Sequence, residues 1–336
     1  MSQLDIRFTT APNGEQIAFV IIGRGPVIIR PPSSLGLSDF QNAPWVGQLA
    51  QSLAPDYTLV VYDHLGSGLS GKEHYDYSLE GMVAELAAVG GAVGEPALIW
   101  CVGGAGPLGI VYAARYPDRV SGMGNAGWIR GRDFVATSWF RSFRPVLESD
   151  WDFAIEAFAR IRGQNAGERA ETLIEVFRRA TTPEAYRAYL DGVATHDATA
   201  FLPSVHTPTL VLHNEGPVEK VEWATEKLHS MPGARRIVTR EHADFNDFPS
   251  IGRLIRQFAE ELGLRRTPQQ EPQSQLSARE CEVLVLLAAG LSNAQIADHL
   301  GRSPRTIDRH VQNVFKKINA HNRTEAALWA RDHGAA

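Results

Sequence analysis

Between residues 5 and 22 apolar and polar side chains alternate around Pro12-Asn13-Gly14. A period of two interrupted by a turn predicts an opening β-hairpin. After Gly23-Arg24-Gly25-Pro26 the pattern changes to short unbroken apolar runs, at 27–30, 57–63, 97–102, 122–127 and 209–213. Helical stretches around 45–53 and 79–93 separate the first three. A strand that is apolar on both faces is covered on both, so such runs alternating with helices predict a mostly parallel α/β sheet between helical layers. The stretch of about 130–200 is helical and aromatic, with Trp139, Phe140, Phe143, Trp151, Phe153, Phe158, Phe177, Tyr186 and Tyr189. An insertion there sits where such a sheet carries a lid, above the C-terminal ends of its strands.

Residues 264–275, LRRTPQQEPQSQ, have no apolar periodicity and read as a polar linker. Beyond it four helix starts follow closely. Ser277–Glu280 and Ser292–Gln295 fit the capping box, Ser303 precedes Pro304 at a first helical position, and Asn322 has Glu325 three residues on. Gly290 and Gly301 fall where the first two helices end. In 303–318 one stripe carries Ile307, Val311, Val314, Phe315 and Ile318, and the opposite stripe Arg305, Arg309, Gln312 and Lys316. One face packs, and the other offers guanidinium, amide and ammonium groups that read base edges or bind phosphate. Four short helices with a tight Gly301-Arg302 turn make an all-α helix-turn-helix domain.

LSARECEVLVLLAAGLSNAQIADHL and SPRTIDRHVQNVFKKINAHNRTEAALWARDHG resemble the LuxR-type DNA-binding domain along 276–334. The resemblance implies that the third helix enters the major groove and the fourth supplies a dimer contact. It also implies a homodimer on an inverted-repeat operator of double-stranded DNA, and leaves RNA polymerase open as a further partner. The residues it places at the nucleic acid are Arg302, Ser303, Arg305, Thr306, Asp308, Arg309, Gln312, Asn313 and Lys316. Asp308 departs from the family, which usually carries Lys there. It is expected either to read a base, accepting from cytosine N4, or to lie solvated on the flank, pairing with Arg305 or Gln312; base reading is the favoured alternative. Cys281 is expected on the buried side of the first helix.

Charge separates the two parts. The net charge of −5 is distributed as 23 basic and 31 acidic side chains over 1–263, against eight and six from 276 onward. A basic reader joined to an acidic body is the expected layout, with the body held away from phosphate. The two cysteines, 180 positions apart in the chain's numbering, give neither a disulfide framework nor a metal-ligand spacing. No apolar run is long enough for a bilayer and no basic, apolar leader opens the chain, so a cytoplasmic protein without membrane, metal or cofactor is expected.

The body resembles the α/β-hydrolase fold over most of 10–262. The resemblance rests on YDHLGSGLS (62–70), CVGGAGPLGIVYAARYPDRV (101–120), DATAFLPSVHTPTLVLHN (197–214) and REHADF (240–245). The family's nucleophile sits in G-x-S-x-G. Here that position falls on Gly103, within Cys101-Val102-Gly103-Gly104-Ala105, and provides no Oγ. The acid position has no Asp, only Glu215 nearby, and the oxyanion loop begins Pro31-Pro32, where proline offers no N–H. His242, with Asp244 close by, is the remaining triad candidate, and a buried Cys101 is expected to be inert.

The sequence therefore predicts an α/β-hydrolase-like sensing domain over 1–263 with its lid at about 130–200, a linker over 264–275, and a LuxR-type domain over 276–336. The expected activity is DNA-binding transcriptional regulation controlled by a small apolar or aromatic effector. The expected pocket comprises Pro32, Ser33, Ser34, Gly103, Gly104, Trp128, Trp139, Phe143 and His242, with no catalysis. The alternative is a working hydrolase or lyase, using His242, Asp244 and Glu215, fused to the same DNA-binding domain.

Overall fold

The computed structural model describes residues 4–33, 36–37, 44–162, 167–213, 220–239, 247–264, 276–318, 320 and 322–332. The chain divides into two compact units, Met1–Arg266 and Thr267–Ala336.

In the first unit the hairpin forms as β1 (Ile6–Thr10) and β2 (Gln16–Gly23), with Ile6 opposite Val20. The apolar runs become β3 (Val27–Arg30), β4 (Thr58–Tyr62), β5 (Ala97–Cys101), β6 (Val120–Asn125) and β7 (Thr209–His213). An eighth strand, β8 (Ala234–Thr239), extends the sheet beyond the sequence expectation. The order is β1-β2-β4-β3-β5-β6-β7-β8, parallel from β4 to β8 and antiparallel at the hairpin.

The unbroken apolar runs reflect burial on both faces. Ile29, Val60, Ile99 and Val211 face one core with α2 (Leu79–Val93) and α3 (Ala105–Arg115). Ile28, Leu59, Val61, Leu98 and Leu210 face the other, with α1 (Pro44–Leu53) and α10 (Phe248–Glu261). Helix α2 starts on Ser78, whose side chain accepts from Gly81 N, and stops at Gly94 in the left-handed region. Between β6 and β7 lie α4 (Gly131–Val135), α5 (Ser138–Ser149), α6 (Trp151–Arg162), α7 (Gly167–Ala180) and α8 (Pro183–Thr195). Helix α9 (Val221–Ser230) connects β7 to β8.

The second unit holds α11 (Ala278–Ala288), α12 (Asn293–His299), α13 (Pro304–Ile318) and α14 (Arg323–Asp332). Both capping boxes form as the sequence predicts. Val283, Leu284, Leu287, Ile296, Ile307, Val311, Val314 and Ile318 make the core. Cys281 does not belong to it: the thiol is exposed. The inward stripe of α11 is filled by Glu280, Val283, Leu284 and Leu287, which turns position 281 outward. Glu280 can be buried because Lys317 Nζ (2.6 Å) and the Ser277 backbone N–H (2.7 Å) both donate to its carboxylate.

Candidate functional site

Strand β5 passes into α3 through Val102-Gly103-Gly104. Gly103 has φ of +53°, and the turn is closed by Ala105 N donating to Val102 O (3.1 Å) and Gly106 N to Gly103 O (3.0 Å). A strand, a left-handed residue and a helix is the backbone shape of a nucleophile elbow. The left-handed position is Gly103, which carries no side chain. Among the described residues, a Cβ at Gly103 would meet one neighbour within 4 Å, Ser33 Cβ at 3.7 Å. The position above the elbow is therefore open on the described side.

Gly104 is enclosed instead. A Cβ there would lie 2.5 Å from Tyr189 Oη, 3.0 Å from Ser33 O and 3.6 Å from Trp128 Cζ2. Ser33, Gly103, Gly104 and Trp128, four of the expected pocket residues, are thus brought together, and Tyr189 of α8 joins them. From Trp128 a run of rings leads into the lid. Trp128 stacks on Phe134 (4.1 Å), Phe134 lies 6.0 Å from Trp139, and Trp139 stacks on Phe143 (4.9 Å). The run returns through Phe158, Phe177 and Tyr186 to Tyr189, at centroid steps of 5.3–6.0 Å. Both ends of the run, Trp128 and Tyr189, lie beside Gly104, so aromatic side chains of α4 to α8 connect to the elbow at two points. Ser34, Glu215 and His242 with its neighbour Asp244 lie outside the described residues.

Pro32 is anchored through its carbonyl. His64 Nε2 is 3.2 Å from Pro32 O, and Nδ1 is 2.5 Å from Glu85 Oε2; both side chains are buried. Leu65 N donates to the other Glu85 oxygen at 3.2 Å. A buried polar group costs little when every valence is met, and this set ties the loop after β3 to α2. Cys101 packs against Gly109, and burial pushes its thiol up to about 12. The thiolate form is suppressed at neutral pH.

Lys227 of α9 is fully buried. Its Nζ donates to Asn125 Oδ1 (3.0 Å) and Gly127 O (2.9 Å), while Asn125 Nδ2 donates to Gly106 O (2.9 Å). The ammonium thus fastens the corner between β6 and Trp128 onto the first turn of α3. Substituting Lys227 with Met is expected to destabilise the first unit by about 2–4 kcal/mol, because the buried oxygens it serves, Asn125 Oδ1 and Gly127 O foremost, lose their donor. Urea unfolding followed by tryptophan fluorescence measures it.

Neither Lys227 nor the His64–Glu85 pair stands out in the sequence, and Tyr189 does so only as one of the lid aromatics. The one local signal was a Glu inside the apolar run GMVAELAAV, which marks a satisfied buried carboxylate. Among the described residues, ligand-type atoms of Glu15, Glu73 and His74 lie within 4.8 Å of one another, and His74 Nδ1 is already bonded to Glu15 Oε1 at 3.0 Å.

In the second unit, Arg302, Ser303, Arg305, Asp308, Arg309, Gln312, Asn313 and Lys316 are exposed, and Thr306 is half-buried with its hydroxyl 2.8 Å from Ser303 Oγ. They line the start of α13 and its face away from Ile307, Val311, Val314 and Ile318. Arg302, Arg305, Arg309 and Lys316 form no ion pair among the described residues. Asp308 pairs with neither Arg305 nor Gln312. Asn293 Nδ2 donates to its Oδ1 at 2.7 Å, and Asn293 Oδ1 accepts from Arg323 Nη1 at 3.2 Å. Helices α12, α13 and α14 are joined near their N-terminal ends by this relay.

Residues 274–330 match the family model of bacterial regulatory proteins, luxR family, and 35–201 that of the alpha/beta hydrolase fold. Transcriptional regulatory protein DegU of Brevibacillus brevis is 36% identical over 78 residues, 23% of this chain and 33% of that protein. The CsgBAC operon transcriptional regulatory protein of Escherichia coli is 47% identical over 58 residues, 17% of this chain and 27% of that protein. The chain thus spans about a third or less of the length of these relatives. Among solved structures, esterase RhEst1 from a Rhodococcus species has a TM-score of 0.64 at 21% identity, covering 77% of this chain and 100% of its own. A thermophilic esterase from Thermogutta terrifontis has 0.60 at 21%, covering 78% and 99%. At that identity the likeness establishes the fold alone. The C-terminal unit is therefore a DNA-binding domain of the bacterial luxR regulatory family, and the N-terminal unit has the alpha/beta-hydrolase fold.

Proposed function

We propose that the protein is a ligand-responsive transcriptional regulator in which a non-catalytic hydrolase-fold domain binds a small apolar or aromatic effector. The observation that carries this reading is the elbow at Gly103. Its backbone makes a left-handed turn between strand and helix, and Gly103 carries no side chain. A Cβ placed there would meet only Ser33 Cβ within 4 Å among the described residues, and a run of aromatic side chains leads from Trp128 through the lid to Tyr189 beside Gly104. Without an Oγ the elbow cannot form an acyl intermediate. It retains the N–H of Gly104 at a helix N-terminus, suited to an acceptor atom. The luxR-family domain supplies the output, a homodimer reading an inverted repeat through Arg305, Arg309, Gln312 and neighbouring residues of α13. Asp308 is either held by Asn293 to orient α13 or released to accept from cytosine. No helix of the described residues is long and apolar enough to cross a membrane.

Effector binding acts on DNA through differential affinity for two arrangements of the dimer, since a ligand shifts only the equilibria it binds unequally. The test is a thermal-shift screen of the chain against aromatic acids, lactones, phenols and short esters, with each hit recovered and weighed. A ligand at a hundred times its Kd stabilises by about 2.7 kcal/mol. Recovery of the hit unchanged supports a sensor. Recovery as cleaved product, lost on replacing His242 with Ala, would establish the hydrolase reading instead.

A further inference from the structure

The indole N–H of Trp128 is buried and has no acceptor among the described residues. Trp128 itself is 6% exposed. Buried indole N–H groups normally find a partner, and one without it calls for an explanation in each case. The position of the ring supplies one. Trp128 Cζ2, bonded to the same ring carbon as Nε1, is 3.6 Å from where a Cβ on Gly104 would stand, so the N–H edge of the indole borders the elbow. The ring cannot readily swing away. Phe134 stacks on it at 4.1 Å with 12° between planes, a Cβ at Gly106 would fall 2.8 Å from the Trp128 carbonyl, and Lys227 holds the preceding carbonyl of Gly127.

Resting on the sensor reading above, we propose that Trp128 Nε1–H is the donor that fixes the effector, and that the effector is an aromatic molecule bearing a carbonyl-type oxygen. Two groups at the elbow are suited to such an oxygen: the indole N–H from the side and the Gly104 N–H at the start of α3. The ring of the effector takes the apolar surroundings set by Phe134 and the lid aromatics. A carboxylate and a neutral ketone or ester share this acceptor chemistry. Because Trp128 stacks directly on Phe134 of α4, the residue that detects the oxygen is also the residue on which the lid rests.

The test uses the full chain and three probes: phenylacetone, phenylacetate, and isobutylbenzene, which has the shape of phenylacetone without its oxygen. Affinities are measured by calorimetry for the natural protein and for Trp128→Phe, which keeps an aromatic ring against Phe134. The expected result is tighter binding of at least one oxygen-bearing probe than of isobutylbenzene. Trp128→Phe weakens that probe roughly five- to tenfold, in line with one lost hydrogen bond, and changes isobutylbenzene less than about twofold. The stronger of the two oxygen probes tells an anionic from a neutral effector. A second measurement needs no variant that must fold. In protein labelled with 15N at tryptophan, one indole N–H resonance is to move with the oxygen probe and stay still with isobutylbenzene. Equal loss for all probes, no loss, or no binding of either oxygen probe overturns the assignment. If oxygen preference and Trp128 dependence hold while operator affinity ignores the probe, the donor assignment stands and the regulatory reading falls. If operator affinity responds while Trp128→Phe leaves discrimination intact, the donor assignment alone falls.

Discussion

Replacing Arg305 and Arg309 together with alanine is expected to weaken operator binding by about a hundredfold or more while the protein stays folded. Both guanidinium groups are exposed on α13, and neither is engaged in an ion pair among the described residues. The buried side of the same helix, Ile307, Val311, Val314 and Ile318, is untouched by the change. Alanine is also a better helix former than arginine, so the helix itself does not weaken. A bidentate contact from arginine to guanine contributes roughly 1–3 kcal/mol of discrimination, and two of them give the stated loss. Fluorescence anisotropy on an operator duplex, with melting temperatures of both proteins, measures it. A residue that only binds phosphate would behave differently. Its removal lowers the salt slope by about one and weakens all sequences alike.

Gly127→Ala is expected to destabilise the first unit by about 3 kcal/mol or more and to abolish probe binding. Gly127 has φ of +108°, a region that a side chain rarely adopts, and its added Cβ would collide with the Gly103 carbonyl. The colliding atom is backbone of the elbow and cannot rotate away. Gly103→Ala is the internal control. It shares a positive φ of +53°, yet its Cβ meets only Ser33 Cβ at 3.7 Å among the described residues. Strain without collision costs about 1–2 kcal/mol. Thermal unfolding of the two variants separates the terms, and the transition of the luxR-family unit is expected at its original temperature in both.

What could be read from the sequence was local, and what could not was made by distant contacts. The parallel strands were legible because burial on both faces removes polar positions from the run, as in VIIR and TLVLH. Strand β8 was missed because ARRIVT lies at the sheet edge, where Arg235 is exposed and Arg236 pairs with Glu261 at 2.8 Å. Edge strands carry charge and lose the apolar signature. The helix caps of the second unit were legible because a capping box spans three residues. The orientation of Cys281 was not, since the inward stripe includes an ionised Glu280 that Lys317 makes tolerable. Likewise the pairing of Asp308 depends on Asn293 in the neighbouring helix, which periodicity within α13 cannot reveal.

The site shows the same division. The lack of a side chain at Gly103 was visible from one turn of chain, and the residue takes a left-handed φ between β5 and α3. The closure of the site was not visible. Tyr189 reaches Gly104 from α8, and Lys227 reaches Gly127 from α9, each from an amphipathic helix whose sequence looks ordinary. A long-range contact between one polar side chain and one backbone carbonyl leaves no periodic trace.

The most direct measurement is the operator affinity of the full chain, with and without a saturating ligand that is recovered from binding unchanged. The duplex is selected by the protein itself from a random pool, so no operator need be assumed. The account predicts a change of about five- to 150-fold, the usual range for coupled sites, with reciprocal tightening or weakening of the ligand when DNA is added. Equal affinity for DNA in the presence and absence of every bound ligand would contradict it.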